Sequence, residues 1–425
     1  MFKRKTHSRI CGAASLIAIL GSAVSTASAK PTDPFHGNIR DSLGVNIHFT
    51  DPKPGEMKML AASGLGWIRM DFAWDATEKQ TGVYDFSHYD TLLENLKRKN
   101  MNALFILDYR NALYGPGGLP PFDESGRTAF ARWAVAAVNH FQGQGVLWEL
   151  WNEPNNAGFW HNPNAGDYAK LAITVDKAIR TAVPGETLIG PAVSGMDFAF
   201  LETCFKAGCL TYWDAVSVHP YRQDAPESAS ADYVRLADMI AKYAPVGRHI
   251  PILAAEWGYS TAWGGQSERR QADYVDREFL TNIENNIPLS IWYDWHDDGP
   301  DLTDSESNFG ITHSEYYPAG TLVYVPKTAY NACKALAGIL GDCKFVGRIK
   351  MADDSDHMLE FSRNGKMRYA AWTTSKTPHT VTLPLRPGKA NVIDWLNTSE
   401  IDQTVGADGL IITLTQEPQF VEIPK

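Results

Sequence analysis

The amino-acid sequence predicts an α/β fold, a (β/α)8 TIM barrel followed by a small C-terminal antiparallel β-domain. Two observations predict the barrel. Short apolar runs alternate with longer amphipathic segments, and eight such runs fit within about 300 residues, which suits a barrel of this kind. A third observation predicts the β-domain: after residue 341 the helical period stops, and short runs separated by turn residues replace it.

The predicted barrel strands are mostly continuous apolar runs, as expected for parallel strands that are covered on both faces. They are Leu43–His48, Trp67–Phe72, Ala103–Asp108, Val146–Asn152, Thr187–Pro191, Ala215–His219, Pro251–Glu256 and Leu289–Asp294.

Apolar residues recur at helical spacing between these runs. Ser87 is expected to cap a helix that carries Leu92, Leu93 and Leu96. Similar stripes run along residues 130–141, 168–179 and 272–283. We interpret them as helix faces that pack on the barrel rather than as binding surfaces.

The remaining runs are short and lack a helical period, which is typical of antiparallel strands. They are Phe345–Lys350, Met358–Ser362, Met367–Thr373, His379–Leu383, Asn391–Trp395 and Leu410–Leu414.

An open, doubly wound sheet also alternates strands with helices and is the alternative to a barrel. Such sheets bind phosphates through G-x-G-x-x-G or P-loop motifs placed directly after a strand. Neither motif follows any of the eight runs. We therefore expect a barrel over residues 30–341 and a β-sandwich-like domain over residues 342–425.

Residues 1–29 have the pattern of a secretory signal peptide. Four basic residues precede an apolar run, Cys11–Val24, and small residues at positions 27–29 form a cleavage site. The apolar run is too short to span a bilayer. We expect cleavage near Lys30, a secreted or periplasmic protein, and no membrane association after cleavage.

Net charge argues against a nucleic-acid partner. Removal of the signal peptide deletes four positive charges and no acidic residue, which takes the formal net charge from −10 to −14. A chain this acidic repels phosphate backbones.

Four cysteines lie beyond the signal sequence, and export would permit disulfides. Their spacing favours the pairs Cys204–Cys209 and Cys333–Cys343, although other pairings stay open. A zinc site is the rival interpretation, but no nearby histidine completes a zinc pattern.

Two carboxylates occupy positions where a barrel places its active site. Glu153 follows the fourth predicted strand and Glu256 ends the seventh, each beside tryptophan. Active sites of these barrels lie at the carboxyl ends of the strands. Two such carboxylates suit acid–base and nucleophilic chemistry on a glycosidic bond. The alternative, two rim carboxylates held in salt bridges, is less favoured for the pair than for either residue alone.

The segments Trp151–Asn155 and Glu256–Gly258, at the ends of strands four and seven, resemble clan A of the glycoside hydrolases. Within this clan the chain is most similar to family 39 and the related glycosidases of bacterial exopolysaccharide clusters, and next to family 5 cellulase-type enzymes. The resemblance covers about residues 40–340.

The resemblance implies a double displacement with retention of configuration. Glu256 would be the nucleophile that forms a glycosyl-enzyme, and Glu153 would be the acid/base. The two carboxyl groups are then expected about 5–5.5 Å apart.

The resemblance also implies roles for five further residues. Arg69 on strand two would pair with the nucleophile, and Asn152 would bond the sugar 2-hydroxyl. His219 and Tyr221, which follow strand six, would lie against the nucleophile and the substrate. Trp292 on strand eight would form the floor of the −1 subsite.

Other candidates rest on position alone. Trp160 is a candidate for the leaving-group side, and His48 and Asp294, at the ends of strands one and eight, are candidates for substrate contact. Glu149 lies deeper in strand four than Glu153, so we expect a buried, paired structural role for it.

The acidic stretch 294–306 lacks the spacing of an EF-hand calcium loop, and a solvated loop is favoured over a metal site. We predict neither a cofactor nor a metal.

The predicted function is exported hydrolysis of β-glycosidic bonds in a polysaccharide or oligosaccharide of xyloside, glucan or exopolysaccharide type. A non-catalytic carbohydrate-binding barrel is the main alternative, although neither catalytic carboxylate is missing. A metal-dependent barrel hydrolase is a third possibility, against which the absence of an H-E-x-x-H motif argues.

Overall fold

The computed structural model describes residues 35, 37–115, 119–317, 320 and 322–424. In this part of the chain, parallel strands pair in sequence order and form a closed eight-stranded barrel. The strands are β1 Leu43–Asn46, β2 Trp67–Ala73, β3 Asn102–Asp108, β4 Leu147–Leu150, β5 Thr187–Ser194, β6 Ala215–His219, β7 Ile252–Trp257 and β8 Ser290–Trp292. Because β1 pairs with both β2 and β8, the sheet has no free edge.

Helices surround the barrel, and most of them bury one apolar face. In the second of the long helices, for example, Phe130, Trp133 and Ala137 are fully buried. Residues 271–283 of the eighth helix, by contrast, are buried on every side. The helices are α1 Glu56–Ala62, α2 Trp74–Thr77, α3 Ser87–Lys97, α4 Glu124–His140, α5 Ala165–Ala182, α6 Phe198–Lys206, α7 Ser230–Tyr243, α8 Glu268–Glu284 and α9 Thr328–Leu340.

All eight predicted barrel strands are confirmed. The fifth extends three residues beyond its predicted end, to Ser194, and the end of the fourth also differs. Strand β4 stops at Leu150 rather than at Asn152. The next residue, Trp151, has a φ of +67°, which takes the backbone out of the extended conformation. This turn directs the residues that follow, Asn152 and Glu153, toward the mouth of the barrel.

Helix α3 begins at Ser87 as predicted, but the expected serine cap is wrong. Phe86 occupies the N-cap position and makes no side-chain cap. The Asp85 carboxylate instead accepts a hydrogen bond of 3.0 Å from the Ser87 backbone N–H, so an acidic residue satisfies a free donor at this helix end.

The C-terminal β-domain consists of antiparallel strands, and its first strand follows α9 by a short turn. Thirteen of its buried residues form a second hydrophobic core, to which strands of two sheets contribute. The strands that follow the barrel are β9 Thr312–Tyr316, β10 Tyr324–Pro326, β11 Lys344–Arg348, β12 Asp356–Arg363, β13 Lys366–Thr373, β14 His379–Leu383, β15 Gly388–Ile393, β16 Glu400–Val405, β17 Leu410–Leu414 and β18 Gln419–Glu422.

The large sheet of this domain is buried on both faces near its centre. In β12, Met358 packs in the core of the β-domain, whereas Leu359 and Phe361 belong to the core that includes the barrel. In β13, Ala371 packs in the core of the β-domain and Trp372 in the core that includes the barrel. The two-residue period of a strand therefore lets one sheet seal both cores.

A buried ion pair fixes this sheet against the barrel. Arg277 of α8 makes two bonds of 2.8 Å to the carboxylate of Glu227. The indole Nε1 of Trp372 donates to the same carboxylate at 2.7 Å. Burial opposes ionisation of Glu227, but the bonds from Arg277 outweigh it and hold the pKa of Glu227 below its ordinary value.

The prediction of two disulfides is wrong. Cys204, Cys209, Cys333 and Cys343 are all free, buried thiols. Cys343 lies just beyond the C-terminal end of α9, where its sulfur is 3.9 Å from the carbonyl oxygen of Ile339. The rise of the helix places Ile339 about 9 Å along the axis from Cys333. That separation exceeds the reach of a disulfide.

The other pair also stays unbonded. Cys204 lies in α6 and Cys209 begins the 3-10 turn that follows the helix. Their side chains are close enough to hydrogen-bond, while the Cys204 sulfur also lies 4.0 Å from the carbonyl oxygen of Ala165. They therefore pack as two small apolar side chains.

The predicted signal peptide, residues 1–29, lies outside the described residues. Among the helices that are described, none combines the length and the hydropathy needed to cross a membrane.

Candidate active site

A cleft of about 440 Å³ opens at the carboxyl ends of the barrel strands. Its lining residues come from the strand ends and from the loops that follow them, as in other barrels of this fold. They are Asn46, His48, Arg69, Asp71, Tyr109, Asn152, Glu153, Asn156, Phe159, Ser194, Tyr221, Glu256, Trp263, Tyr293, Glu306 and Phe309.

Arg69 is the electrostatic centre of this cleft and is almost completely buried. Its Nε donates to Glu149 at 2.7 Å, and its Nη1 donates to Glu256 at 2.6 Å. Its Nη2 lies 2.8 Å from Asn152 Oδ1 and 3.3 Å from His219 Nε2. One planar guanidinium therefore connects strands β2, β4, β6 and β7.

The charge state of Arg69 is secured by its neighbours. Burial alone would lower its pKa, but Glu149 and Glu256 outweigh that effect and raise it. Glu149 is fully buried and paired, which confirms the expectation of a structural role for this residue.

His219 has its ring orientation and its tautomer fixed by two contacts. Its Nε2 faces Arg69, which has only donors, so Nε2 must accept. The proton of the neutral ring is then on Nδ1. That nitrogen lies 3.0 Å from Oε1 of Glu153, so His219 donates to the carboxylate.

Glu153 receives hydrogen bonds on both oxygens. Asn156 Nδ2 donates to Oε2 at 2.8 Å, and the Asn156 amide cannot flip without losing the bond that its Oδ1 accepts from the backbone N–H of Gly158. Burial would raise the pKa of Glu153, but the donors His219, Asn156 and Ser194 hold it below the ordinary value.

The backbone at Glu153 has an unusual conformation, with a φ of +46°. Few non-glycine residues adopt this left-handed region, and it costs free energy. Two backbone bonds hold it in place, one from Glu153 N–H to Ala192 O at 3.0 Å and one from Asn156 N–H to Glu153 O at 2.9 Å.

Glu256 is the second carboxylate of the cleft, with 12% of its side chain exposed. Besides its contact with Arg69, it accepts a bond of 2.9 Å from the hydroxyl of Tyr221. Its Oε1 lies 3.9 Å from His219 Nδ1. One carboxylate oxygen of Glu256 lies within 4.8 Å of one of Glu153, so the two groups face the same space.

Asp71 and Asp108 form a pair of acids beside Arg69. Asp108 is fully buried, and burial together with the charge of Asp71 raises its pKa well above the ordinary value. Burial therefore favours the neutral, protonated form of Asp108 at the cleft wall.

His48 and Asp294 meet at the junction of β1 and β8. His48 Nε2 lies 3.4 Å from an oxygen of Asp294. Burial raises the pKa of Asp294 to about 7. Burial opposes charge on His48, but Asp294 outweighs that effect and raises the pKa of His48. Only His48 of the two lines the cleft.

Two tryptophans expected in the sugar site do not reach it. Trp292 is fully buried, and its Nε1 donates to the carbonyl of Phe309 at 3.2 Å. Tyr293, the next residue, lines the cleft instead. The prediction of Trp292 as the floor of the −1 subsite is therefore wrong, because the side chains of neighbouring strand residues point in opposite directions.

Trp160 is likewise fully buried, where its ring packs against Trp151 and Phe122. The expectation that it lines the leaving-group side is wrong. Phe159, the preceding residue, lines the cleft instead, with 41% of its surface exposed.

Several cleft residues escaped the sequence interpretation. Asn46 ends β1 and Ser194 ends β5, three residues beyond the predicted end of that strand. Asn156 follows Glu153 by one helical turn, and Glu306 lies in an acidic loop interpreted as solvated. Strand-end position is the signal that marks Asn46 and Ser194, whereas nothing local distinguishes Glu306 from its acidic neighbours.

The model of the cellulase family, glycosyl hydrolase family 5, matches residues 34–299, which is more than half of the chain. A "Beta-xylosidase" from Geobacillus stearothermophilus is 26% identical over 168 residues, which are 35% of this chain and 33% of that protein. The aligned part therefore spans a third of the length of this relative.

Solved structures share the fold. A family 39 glycoside hydrolase from Bacteroides cellulosilyticus WH2 has a TM-score of 0.77 and 23% identity, and the match covers 92% of this chain and 82% of that one. A family 39 beta-xylosidase from Caulobacter crescentus has a TM-score of 0.65 and 19% identity, with 93% and 98% covered. Because the family model matches more than half of it, the chain belongs to the cellulase family, family 5 of the glycosyl hydrolases.

Proposed function

We propose that the protein hydrolyses β-glycosidic bonds by double displacement, with Glu256 as the nucleophile and Glu153 as the acid/base. The observation that supports this most directly is the closeness of the two carboxylates, whose nearest oxygens lie within 4.8 Å. Retaining enzymes hold these groups about 5–5.5 Å apart, whereas inverting enzymes need about 6.5–9.5 Å to admit a water.

The surroundings of Glu256 suit a nucleophile. Arg69 and Tyr221 each direct a donor at a different oxygen of its carboxylate, which favours the charged form that attacks carbon. In the first step Glu256 bonds to the anomeric carbon while the glycosidic C–O bond breaks. Glu153 gives its proton to the departing oxygen.

The second step uses the same residues in reverse. Glu153, now a carboxylate, takes a proton from water as the water oxygen bonds to the anomeric carbon and Glu256 leaves.

Asn152 is proposed as the residue that binds the sugar 2-hydroxyl. Its Oδ1 is occupied by Arg69 at 2.8 Å, so its amide N–H groups remain for the cleft. Hydrogen bonds to this hydroxyl strengthen as the transition state forms.

The substrate class is proposed from the relatives. The curated relative is a beta-xylosidase, so β-xylosides are the first substrates to test, followed by β-glucans, β-mannans and bacterial exopolysaccharide. The aromatic cleft residues Tyr109, Phe159 and Trp263 offer ring faces that suit packing against sugars.

We also propose that the protein is exported and that residues 1–29 are removed. The basic start, the apolar run and the small-residue site support this. Sequencing the N-terminus of the protein recovered outside the cytoplasm checks it. A mature chain that begins near Lys30 is expected, and a chain that keeps Met1 would contradict export by this route.

The mechanism is tested with aryl β-xylosides, β-glucosides and β-mannosides and an NMR assay of the first-formed anomer. We expect a β-anomer first, and an α-anomer would refute double displacement. Glu256→Ala should abolish turnover, and added azide should then yield the α-glycosyl azide. Azide with Glu153→Ala should yield the β-glycosyl azide.

A surface variant controls for loss of a carboxylate in general. Glu94 is exposed and pairs only with Arg98 in its own helix, so Glu94→Ala should keep wild-type activity. A wild-type protein that binds glycans but turns over none of them would support the non-catalytic alternative instead.

A further inference from the structure

A second group of potential ligands lies beside the two catalytic carboxylates, at another edge of the cleft. One ring nitrogen of His48 and one carboxylate oxygen each of Asp294 and Asp298 lie within 4.8 Å of one another. His48 also lines the cleft, so this group borders the space in which a substrate would bind. Imidazole and carboxylate groups are common ligands of metal ions in proteins.

Asp294 is the member of this group that lacks a partner. Its side chain is only 2% exposed, and its Oδ2 has no hydrogen-bond partner among the described residues. This oxygen faces the group, since His48 Nε2 lies 3.4 Å from it. Nearly all buried polar atoms in proteins have a partner, and an unsatisfied one indicates a bound water or a bound ion.

The charges around His48 favour a cation over a water molecule. The negative charges of Asp294, Asp298 and Asp71 all act on His48. A protonated His48 would supply a single positive charge against these three carboxylates. Burial of an uncompensated carboxylate is costly, and a divalent cation would compensate the excess charge that a water leaves in place.

The backbone already holds two of the ligands in place. The N–H of Trp295 donates to the carbonyl of Asn46 at 3.0 Å, and the N–H of Ile311 donates to the carbonyl of Asp294 at 3.0 Å. These bonds join the end of β1 to the segment that follows β8. Ligands about 2.1 Å from a tetrahedral ion lie about 3.4 Å apart, which is the separation of His48 Nε2 and Asp294 Oδ2.

The third ligand lies beside a firmly anchored residue. Asp297 accepts bonds on Oδ1 from Lys327 Nζ at 2.6 Å and from the backbone N–H of Gly310 at 3.0 Å. Its own backbone N–H donates to Thr312 at 2.9 Å. Asp297 therefore fixes the loop, and its neighbour Asp298 is the exposed acid that remains free to bind an ion.

The catalytic group is a poorer cation site, although Glu153, His219 and Glu256 also lie within 4.8 Å of one another. The Arg69 guanidinium lies 2.6 Å from Glu256 and 3.3 Å from His219 Nε2. This positive charge repels a cation and occupies the ring nitrogen that would otherwise bind one. No such guanidinium contacts the group around His48 among the described residues.

We propose that His48, Asp294 and Asp298 bind a divalent cation of the zinc type at the edge of the cleft. A nitrogen ligand combined with carboxylates suits Zn²⁺, whereas Ca²⁺ and Mg²⁺ prefer oxygen ligands. Three protein ligands leave the fourth position of a tetrahedral ion to water or to an oxygen atom of a molecule in the cleft. Such a site departs from the sequence-based expectation of no metal, which rested on residue spacing along the chain.

Titration calorimetry with zinc chloride tests the site. The protein carries no affinity tag and is treated with EDTA, which is then removed. We expect the wild type to bind one equivalent of Zn²⁺, and Zn²⁺ should raise its melting temperature. His48→Ala and Asp298→Asn should each weaken binding at least about 100-fold, because loss of an outer-shell partner alone costs about 10–100-fold. Both side chains are exposed, and a melting temperature close to that of the wild type without zinc verifies that both variants fold.

Two control variants locate the ion. His88 is exposed and lies 2.9 Å from Asp51, but no third ligand joins this pair among the described residues, so His88→Ala should bind Zn²⁺ as the wild type does. Glu153→Gln removes a carboxylate from the catalytic group and should also keep the binding. Crystals of the zinc complex should show an anomalous-scattering peak about 2.0–2.2 Å from His48 Nε2 and Asp294 Oδ2.

Three results would overturn the site. They are a wild type that binds no Zn²⁺, binding that His48→Ala and Asp298→Asn leave unchanged, and binding that is lost in Glu153→Gln, which would place the ion between the catalytic carboxylates. Zinc binding and glycosidase activity are separate properties of the protein. A wild type that hydrolyses no glycoside but binds Zn²⁺ through His48 would refute the proposed function and support the metal site.

Discussion

Arg69 and Glu149 are joined twice, because Nε and Nη2 of the arginine both lie 2.7 Å from the same carboxylate oxygen of Glu149. Glu149 itself is fully buried beneath the cleft. The pair fixes the guanidinium in one plane, which leaves Nη1 directed at Glu256. A buried structural carboxylate thereby positions the group that supports the proposed nucleophile.

Arg69→Lys should lower kcat/KM about 100-fold or more. A lysine has a single ammonium and cannot reach Glu149, Asn152 and Glu256 at once, and small misplacements at a reacting centre cost about this much. Unfolding in urea should also show a loss of about 3–5 kcal/mol, because a buried carboxylate loses its partner. Wild-type kinetics in this variant would contradict the central role of Arg69.

Glu149→Gln separates positioning from catalysis. Its activity should fall, since Arg69 loses its fixed plane, but azide should not restore turnover, as it should for Glu256→Ala. If azide restores the turnover of Glu149→Gln, the nucleophile is Glu149 and the assignment of Glu256 is wrong.

Activity should be highest at acidic pH, below the ordinary pKa of a glutamic acid, about 4.3. The donors around Glu153 hold its pKa below the ordinary value, so kcat/KM declines as pH rises through that pKa and the acid loses its proton. Asn156→Ala removes one donor, which raises the pKa of Glu153 and should move this alkaline limb to higher pH. The profile is measured with an aryl glycoside whose leaving group requires protonation.

Asn164→Ala is the matched control for this prediction. Asn164 lies in the same loop, but its side chain caps α5 by accepting from the backbone N–H of Asp167. Its loss should cost about 1 kcal/mol of stability and leave the pH profile in place. If the alkaline limb of the pH profile keeps its position in Asn156→Ala, or moves to lower pH, the assignment of Glu153 as the acid is contradicted.

The fold was predictable because its signals are local and repeated. Few known architectures accommodate eight apolar strands that alternate with amphipathic helices. The strands at Glu400–Val405 and Gln419–Glu422 were missed. The first is largely exposed and the second short, so neither shows a clear alternation of apolar residues.

The site was predictable only where a residue type and a strand end coincide. Glu153 and Glu256 meet both conditions, and the structure brings them together with Arg69, which lies within β2 and was expected from the family resemblance. Trp160 and Phe159 show the limit. Both are aromatic and adjacent, and which of them faces the cleft depends on the turn geometry after β4, which tertiary contacts decide.

The cysteines should all react as free thiols. Denaturation of the protein without reductant, followed by alkylation and peptide mapping, should label Cys204, Cys209, Cys333 and Cys343. In the native protein all four should resist labelling. Burial raises the pKa of Cys204 and Cys333, and the thiolate is the reactive form.

A disulfide-linked peptide pair in that map would contradict the described geometry. Reductant supplies an independent check, since the melting temperature should be the same with and without it. A lower melting temperature in the presence of reductant would indicate a stabilising disulfide.

Glu278 makes the stability of the protein depend on pH. It is fully buried in α8, and neither carboxylate oxygen has a hydrogen-bond partner among the described residues. Burial raises its pKa well above the ordinary value. The folded protein therefore holds a proton on Glu278 at pH values where the unfolded chain has released it.

Glu278→Gln should remove this dependence. The folded pKa is the higher one, so the wild type loses stability as pH rises above the unfolded value of about 4.3 and toward the folded pKa. The variant carries no such proton. Its free energy of unfolding, measured in urea, should exceed that of the wild type by a margin that grows between pH 4 and pH 8, as far as roughly 1–3 kcal/mol. Glu268 is exposed in the same helix, so Glu268→Gln should follow the wild-type curve. Parallel curves for the wild type and Glu278→Gln would mean that Glu278 is ionised in the folded protein and that a donor reaches it.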